Sequence, residues 1–238
     1  MGLFVSETNA LWFGLPGCLM LALGLTITDS LHENIKSQSI FFGILFALYV
    51  PIAMLYGSVV LGFLAVVALM GMVGFSVWVF PLCYAVGFKD ESALGKATGT
   101  AFAILSVFVA FRILNIHPPF ISVFESGAFW LGSLVGYVGL LIASSRWYEA
   151  RFPYVSMNIL AIIAGFFAII VGTLWDIAPL RGIGGTFFVL GAIEKPFEFP
   201  VRSLTTYAYI GLFVATMIGL GIFFAENNMA LIEPYLLF

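Results

Sequence analysis

Apolar stretches free of charge alternate with short polar clusters along almost the whole chain, and most of the stretches are about as long as a bilayer crossing. A membrane helix needs about 20 consecutive apolar residues. The first stretch covers residues 8–28 and ends at Asp29. Between Lys36 and Lys89 lies an uncharged run too long for one crossing. Tyr56-Gly57-Ser58 near its middle is the place to turn, which predicts spans near 39–58 and 61–86. A fourth span, about 97–115, is closed by His117-Pro118-Pro119, because a residue preceding proline is pushed out of the helical region. A fifth, about 127–145, carries Gly127, Gly132, Gly136 and Gly139; a sixth lies near 155–174 and an eighth near 203–225. Between them, segment 179–196 has a charge-free core of only 182–193. It either spans, with Arg181 and Glu194 snorkelling, or dips in and returns.

Basic residues test the count, since short cytoplasmic loops collect Lys and Arg. With eight spans, one face receives Lys36, Lys89, Lys96, Arg146, Arg151, Lys195 and Arg202, and the other only Arg112 and Arg181. That asymmetry predicts both termini outside, the odd-numbered loops in the cytoplasm, and a seventh segment that crosses. Six or seven spans would move the late loops to the other face and erase much of the bias.

Composition excludes other classes. The 238 residues are 62% hydrophobic and only 9% charged, against about 25% charged in soluble domains. A surface so poor in ionised side chains belongs in lipid, which rules out a soluble enzyme and a nucleic-acid binder. The net charge of −3 is spread over loops, without a basic stripe for phosphate backbones. The expected fold is therefore all-α: a polytopic transmembrane bundle of about eight spans forming one integral membrane domain over residues 1–238. Its expected location is the cytoplasmic (inner or plasma) membrane. Neither a cleaved leader nor a soluble domain is predicted, because no basic residue precedes the first apolar run and the loops are short.

An internal repeat is the next expectation. Ala10-Leu11-Trp12-Phe13-Gly14 opens the first span and Ala128-Phe129-Trp130-Leu131-Gly132 opens the fifth, each as Ala-x-Trp-x-Gly. Two parallel four-helix halves, 1–120 and 121–238, would follow, an arrangement known among transporters.

Catalytic chemistry is not expected. His32 and His117 are the only histidines and fall in loops on opposite predicted faces, so they build neither a bis-His haem site nor a His-metal cluster. Hydrolase, zincin and P-loop motifs are absent from the sequence. No catalytic, metal or cofactor residue is assigned.

Residues suited to a solute path remain. Gly132 and Gly136 have the small-x3-small spacing that lets helix backbones approach, either as static packing or beside a narrow channel. Arg112 and Arg181 are the only outer-face cations; they either attract an anion or act as an interfacial snorkel and an Asp176 ion pair. Glu194, about three helical turns after Gly184-Gly185, is either a protonatable coupling group beside a broken helix or a plain helix end.

Some stretches resemble the acetate and succinate uptake transporter family. Asn9-Ala10-Leu11-Trp12-Phe13-Gly14-Leu15 is similar to that family's Asn-Pro-Ala-Pro-(Leu/Phe)-Gly-Leu motif, keeping Asn9, Phe13, Gly14 and Leu15 without the prolines. Residues 128–136 resemble its last helix and 102–112 its penultimate one. The resemblance implies a short carboxylate as substrate and an anion-site role for Asn9, Phe13 and Gly14. It also implies six helices with internal termini, at odds with the charge count.

Two functions follow. The first is a transporter or channel for a small solute, with Asn9, Phe13, Gly14, Arg112, Gly132, Gly136, Arg181 and Glu194 as path candidates. The second is a non-catalytic structural or assembly subunit of a larger membrane complex. In either case the expected partners are the lipid bilayer and further membrane subunits or copies of the chain, and nucleic acid is not among them.

Overall fold

A computed structural model describes residues 35–80, 83–89, 91–116, 118–148 and 153–198, with Tyr207, Ala208, Gly211 and Ala215. The first predicted span, and with it Asn9, Phe13 and Gly14, lies outside the described residues, as does almost all of the eighth. The chain divides into two compact units, 1–136 and 137–238. The division falls inside a helix.

In the first unit, α1 (Ile35–Tyr56) and α2 (Val59–Met72) form a helical hairpin. The turn sits where the sequence places it. Gly57 adopts φ +62, a conformation glycine enters without steric cost, and the Ser58 side chain caps α2 by accepting from the Leu61 N–H at 3.4 Å. Phe41, Leu45, Tyr49 and Ala53, spaced four apart on α1, pack on Leu61, Ala65 and Ala68 of α2.

The predicted span 61–86 is not one helix. With 14 residues α2 rises roughly 21 Å, short of the ~30 Å hydrocarbon core. Gly74 at φ +98 then redirects the chain into an antiparallel hairpin, β1 (Phe75–Phe80) and β2 (Cys83–Phe88), with Phe75 opposite Phe88 and Phe80 opposite Cys83. The run Phe-Ser-Val-Trp-Val-Phe is β-branched and aromatic, the composition that favours strand. The backbone closes where Lys89 N–H donates to Gly74 O at 2.9 Å.

Helix α3 (Glu91–Ile113) turns Ala93, Ala97, Ala101, Leu105 and Val109 inward as a stripe of period four. It is followed by a 3-10 turn (Ser122–Phe124) and by α4 (Glu125–Ser144). Asn115, at φ 55, ends α3 just before the His-Pro-Pro sequence.

The second unit holds the end of α4 from Tyr137, α5 (Tyr154–Leu174) and α6 (Ala178–Glu198). The last two run antiparallel along their full lengths. A Cβ on Gly172 would lie 2.8 Å from the backbone nitrogen of Arg181, and one on Gly184 would collide with the Cβ of Ala168. Helix α6 is continuous through Gly184-Gly185, so of the two readings of this segment the broken helix is not the one found. These glycines admit a neighbouring helix and do not interrupt their own. On the far side of α5, Val155, Ile159, Ile163, Phe166, Ile170 and Leu174 form an exposed apolar stripe.

Among the described residues, four helical segments are long and apolar enough to cross a membrane: Ser39–Tyr56, Ser92–Ile113, Ser122–Ser144 and Tyr154–Leu174. Helix α6 is as long as α5 but carries Arg181, Glu194, Lys195 and Glu198. It is not one of the four.

Candidate functional site

The second unit holds a half-open cavity of about 290 Å³ between the C-terminal part of α4, α5 and α6. Its walls are mostly apolar: Leu140 and Leu141 from α4, Ala161 and Ile162 from α5, Phe187 and Phe188 from α6. Ser144, Asn158 and Lys195 line it where the end of α4, the start of α5 and the end of α6 meet.

That polar end follows from an ordinary need. The last carbonyls of a helix have no partner within it. Ser144 O, at the end of α4, receives Lys195 Nζ at 2.9 Å and Asn158 Nδ2 at 3.0 Å. A cation there also suits the negative end of the helix dipole. Asn158 further donates to Tyr154 O at 2.8 Å, one turn back on α5.

Beside this end lies a carboxylate the sequence reading passed over. The Glu198 side chain is 1% exposed. Its Oε1 accepts the Arg146 backbone N–H at 2.7 Å, and its Oε2 accepts the Tyr154 hydroxyl at 2.6 Å and Lys195 Nζ at 3.0 Å. Arg146 Nη1 reaches the Glu198 backbone oxygen at 3.2 Å, and Lys195 Nζ lies 5.4 Å from the Tyr154 ring centroid. Burial pushes the carboxyl up, but the hydrogen bonds from Tyr154, Arg146 and Lys195 and the charge of Lys195 outweigh it. They hold Glu198 below the ordinary carboxylate range, as an anion.

The path candidates read from sequence are scattered. Arg112, at the end of α3, pairs with Glu125 at 3.5 Å beside Pro118 and Ser122. Arg181 pairs with Asp176 at 3.8 Å near the start of α6, at the opposite end of that helix from Glu194. Gly132 and Gly136 press α4 onto α3: added Cβ atoms would lie 3.3 Å from Ala101 O and 3.2 Å from the Phe102 ring. Glu194 is half-buried, one turn from the cavity-lining Gly191. None of the five described candidates lines the cavity; Lys195, next to Glu194, does. The available signals were the Lys195/Glu198 spacing on α6 and the Tyr154/Asn158 spacing on α5, each placing a pair on one helix face.

The described residues thus form a helical protein whose long apolar helices are those of a membrane protein, with one apolar cavity closed by a cationic end. No protein-family model, curated protein or solved structure matches the chain.

Proposed function

We propose that the chain is a multi-pass membrane transporter for a small anionic solute, held in the cavity between α4, α5 and α6. The observation that carries this reading is the pairing of apolar walls with Lys195 and Asn158 at one end of an approximately 290 Å³ space. Small-molecule sites are typically concave, apolar and oriented by a few polar groups. The Lys195 ammonium has three N–H donors, of which Ser144 O and Glu198 take two. The third has no hydrogen-bond acceptor among the described residues, so Lys195 is the group on which an anion would act. A short carboxylate, as the family resemblance implies, has the matching form: an aliphatic body and one charged end.

Eight passages with both termini outside remain the proposed topology. Helix α2 is short and runs back along α1 as far as Gly43, about two turns from where α1 begins, since Met72 Sδ would lie 3.5 Å from a Cβ there. Helix α6 returns along α5, bringing Glu198 to Tyr154. The antiparallel sense of each pair is the one that eight passages require, an arrangement that would gather seven of the nine basic residues on the proposed cytoplasmic face.

A second reading, a structural subunit of a larger complex, draws support from the exposed apolar stripe of α5 and from Arg112 and Arg181 each being paired with an acid. Flux in liposomes separates the two. Purified protein should pass short carboxylates, and Lys195→Met should reduce that flux at least tenfold while keeping the fold. Absence of flux across carboxylates, inorganic anions and neutral solutes refutes the transporter reading and favours the subunit.

A further inference from the structure

We infer that Glu198 is the coupling residue of the proposed transporter: an anion arriving at Lys195 displaces the Glu198 carboxylate, which then takes up a proton. The inference rests on the reading of the cavity as an anion site and adds to it a co-substrate, the proton, and the residue that carries it.

Lys195 serves two masters. Its Nζ lines the cavity and also pairs with Glu198 Oε2 at 3.0 Å. A solute anion drawn to the ammonium is therefore brought beside a second anion whose side chain is 1% exposed. Two like charges in a desolvated site do not both persist, and protonation of one relieves them. Every described charged group around Glu198 enters the balance. Arg146 faces it from the α4–α5 connection, Lys195 pairs with it on α6, and Glu194 lies one turn away on the same helix. The neutral Tyr154, Asn158 and Ser144 complete the surroundings. Two positive and two negative charges sum to zero, so one added anion leaves −1 and one added proton restores neutrality.

The step balances. The Lys195–Glu198 ion pair opens, Lys195 pairs with the solute anion, and a proton from water bonds to the Glu198 carboxylate. Tyr154, which donates to the carboxylate at 2.6 Å, can rotate its hydroxyl and accept from the carboxylic acid, so the new proton keeps a partner. The binding-competent charge of Lys195 is thereby released only when Glu198 is neutralised. Glu194, the acid that the sequence singles out, is half-buried and does not share this contact.

The test uses the full chain in nanodiscs and butane-1-sulfonate, an aliphatic anion that stays ionised across the range. Calorimetry at pH 7.5, 6.5 and 5.5, in buffers of different ionisation enthalpy, counts protons. The expected result is uptake approaching one proton per anion at the acid end, with affinity rising by up to about tenfold per pH unit as pH falls. Glu198→Gln should bind with no proton uptake and no pH dependence, and at pH 7.5 more tightly than the unmodified protein. Should that variant fail to fold, Tyr154→Phe gives the second measurement. Loss of a donor to the carboxylate shifts the pH dependence toward higher pH. Binding without proton uptake, uptake retained in Glu198→Gln, or uptake abolished by Glu194→Gln overturns the inference and leaves the anion site standing. No binding at any pH overturns both.

Discussion

Replacing Gly184 by alanine tests whether the α5–α6 contact is as close as described. A methyl group there would collide with the Cβ of Ala168, and a Tyr137 ring carbon lies 3.4 Å away. The Ala168 Cβ cannot swing aside, because it is bonded directly to helix backbone. The helices must part, loosening the packing of Leu180 and Ile183, which are 0% and 1% exposed. Overpacking of this kind costs about 1–3 kcal/mol. It is opposed by the better helix propensity of alanine, up to about 1 kcal/mol. The net expectation is a loss of about 1–2 kcal/mol, which lowers the melting temperature of a chain this size by roughly 2–8 °C. Gly191 on the same helix is the control. Its added Cβ would meet only the flexible Leu141 Cδ1 at 3.4 Å, so propensity should win and stability should hold or rise slightly. Thermal unfolding of both variants in one detergent decides the matter. If Gly184→Ala melts at or above Gly191→Ala, the close approach and the reasoning from it are wrong.

Two further outcomes are expected. Single cysteines at Trp147 and Phe197, both well exposed, should label with an impermeant reagent from the same face of sealed vesicles, and one at Asp176 only from the other. Trp147 and Phe197 labelling from opposite faces would show that α5 and α6 do not pair as a crossing and a return. Because the Glu198 carboxyl is held below its ordinary value of 4.5 in the folded protein, its ionised form stabilises the fold at neutral pH, and that contribution fades as pH falls through the lowered value. The melting-temperature gap between the unmodified protein and Glu198→Gln should therefore be largest near pH 7 and close in strong acid. A gap that widens on acidification would contradict the network around Glu198.

Helix positions were legible in the sequence because lipid imposes a length and local chemistry imposes the ends. The turn at Gly57-Ser58 is written in a glycine and a capping serine, the end of α3 in His-Pro-Pro, and α5 in an apolar run that agrees with 155–174 almost to the residue. Residues 75–88 were not legible. A continuous apolar run has the same hydropathy as helix or strand, and only Gly74 and the β-branched, aromatic makeup of β1 favour the hairpin. The paired glycines of α6 left two readings open for a related reason, since glycine that breaks a helix and glycine that admits a neighbour are identical until the neighbour is known. Least legible was the cavity's polar end. Glu198 meets Tyr154 and Arg146 across 44 and 52 residues of chain, and no local pattern records such a meeting. Sequence determined which segments prefer lipid, through terms that add residue by residue. Tertiary structure alone decided which charges face one another, because that depends on two antiparallel helices returning Lys195 and Glu198 to the end of α4.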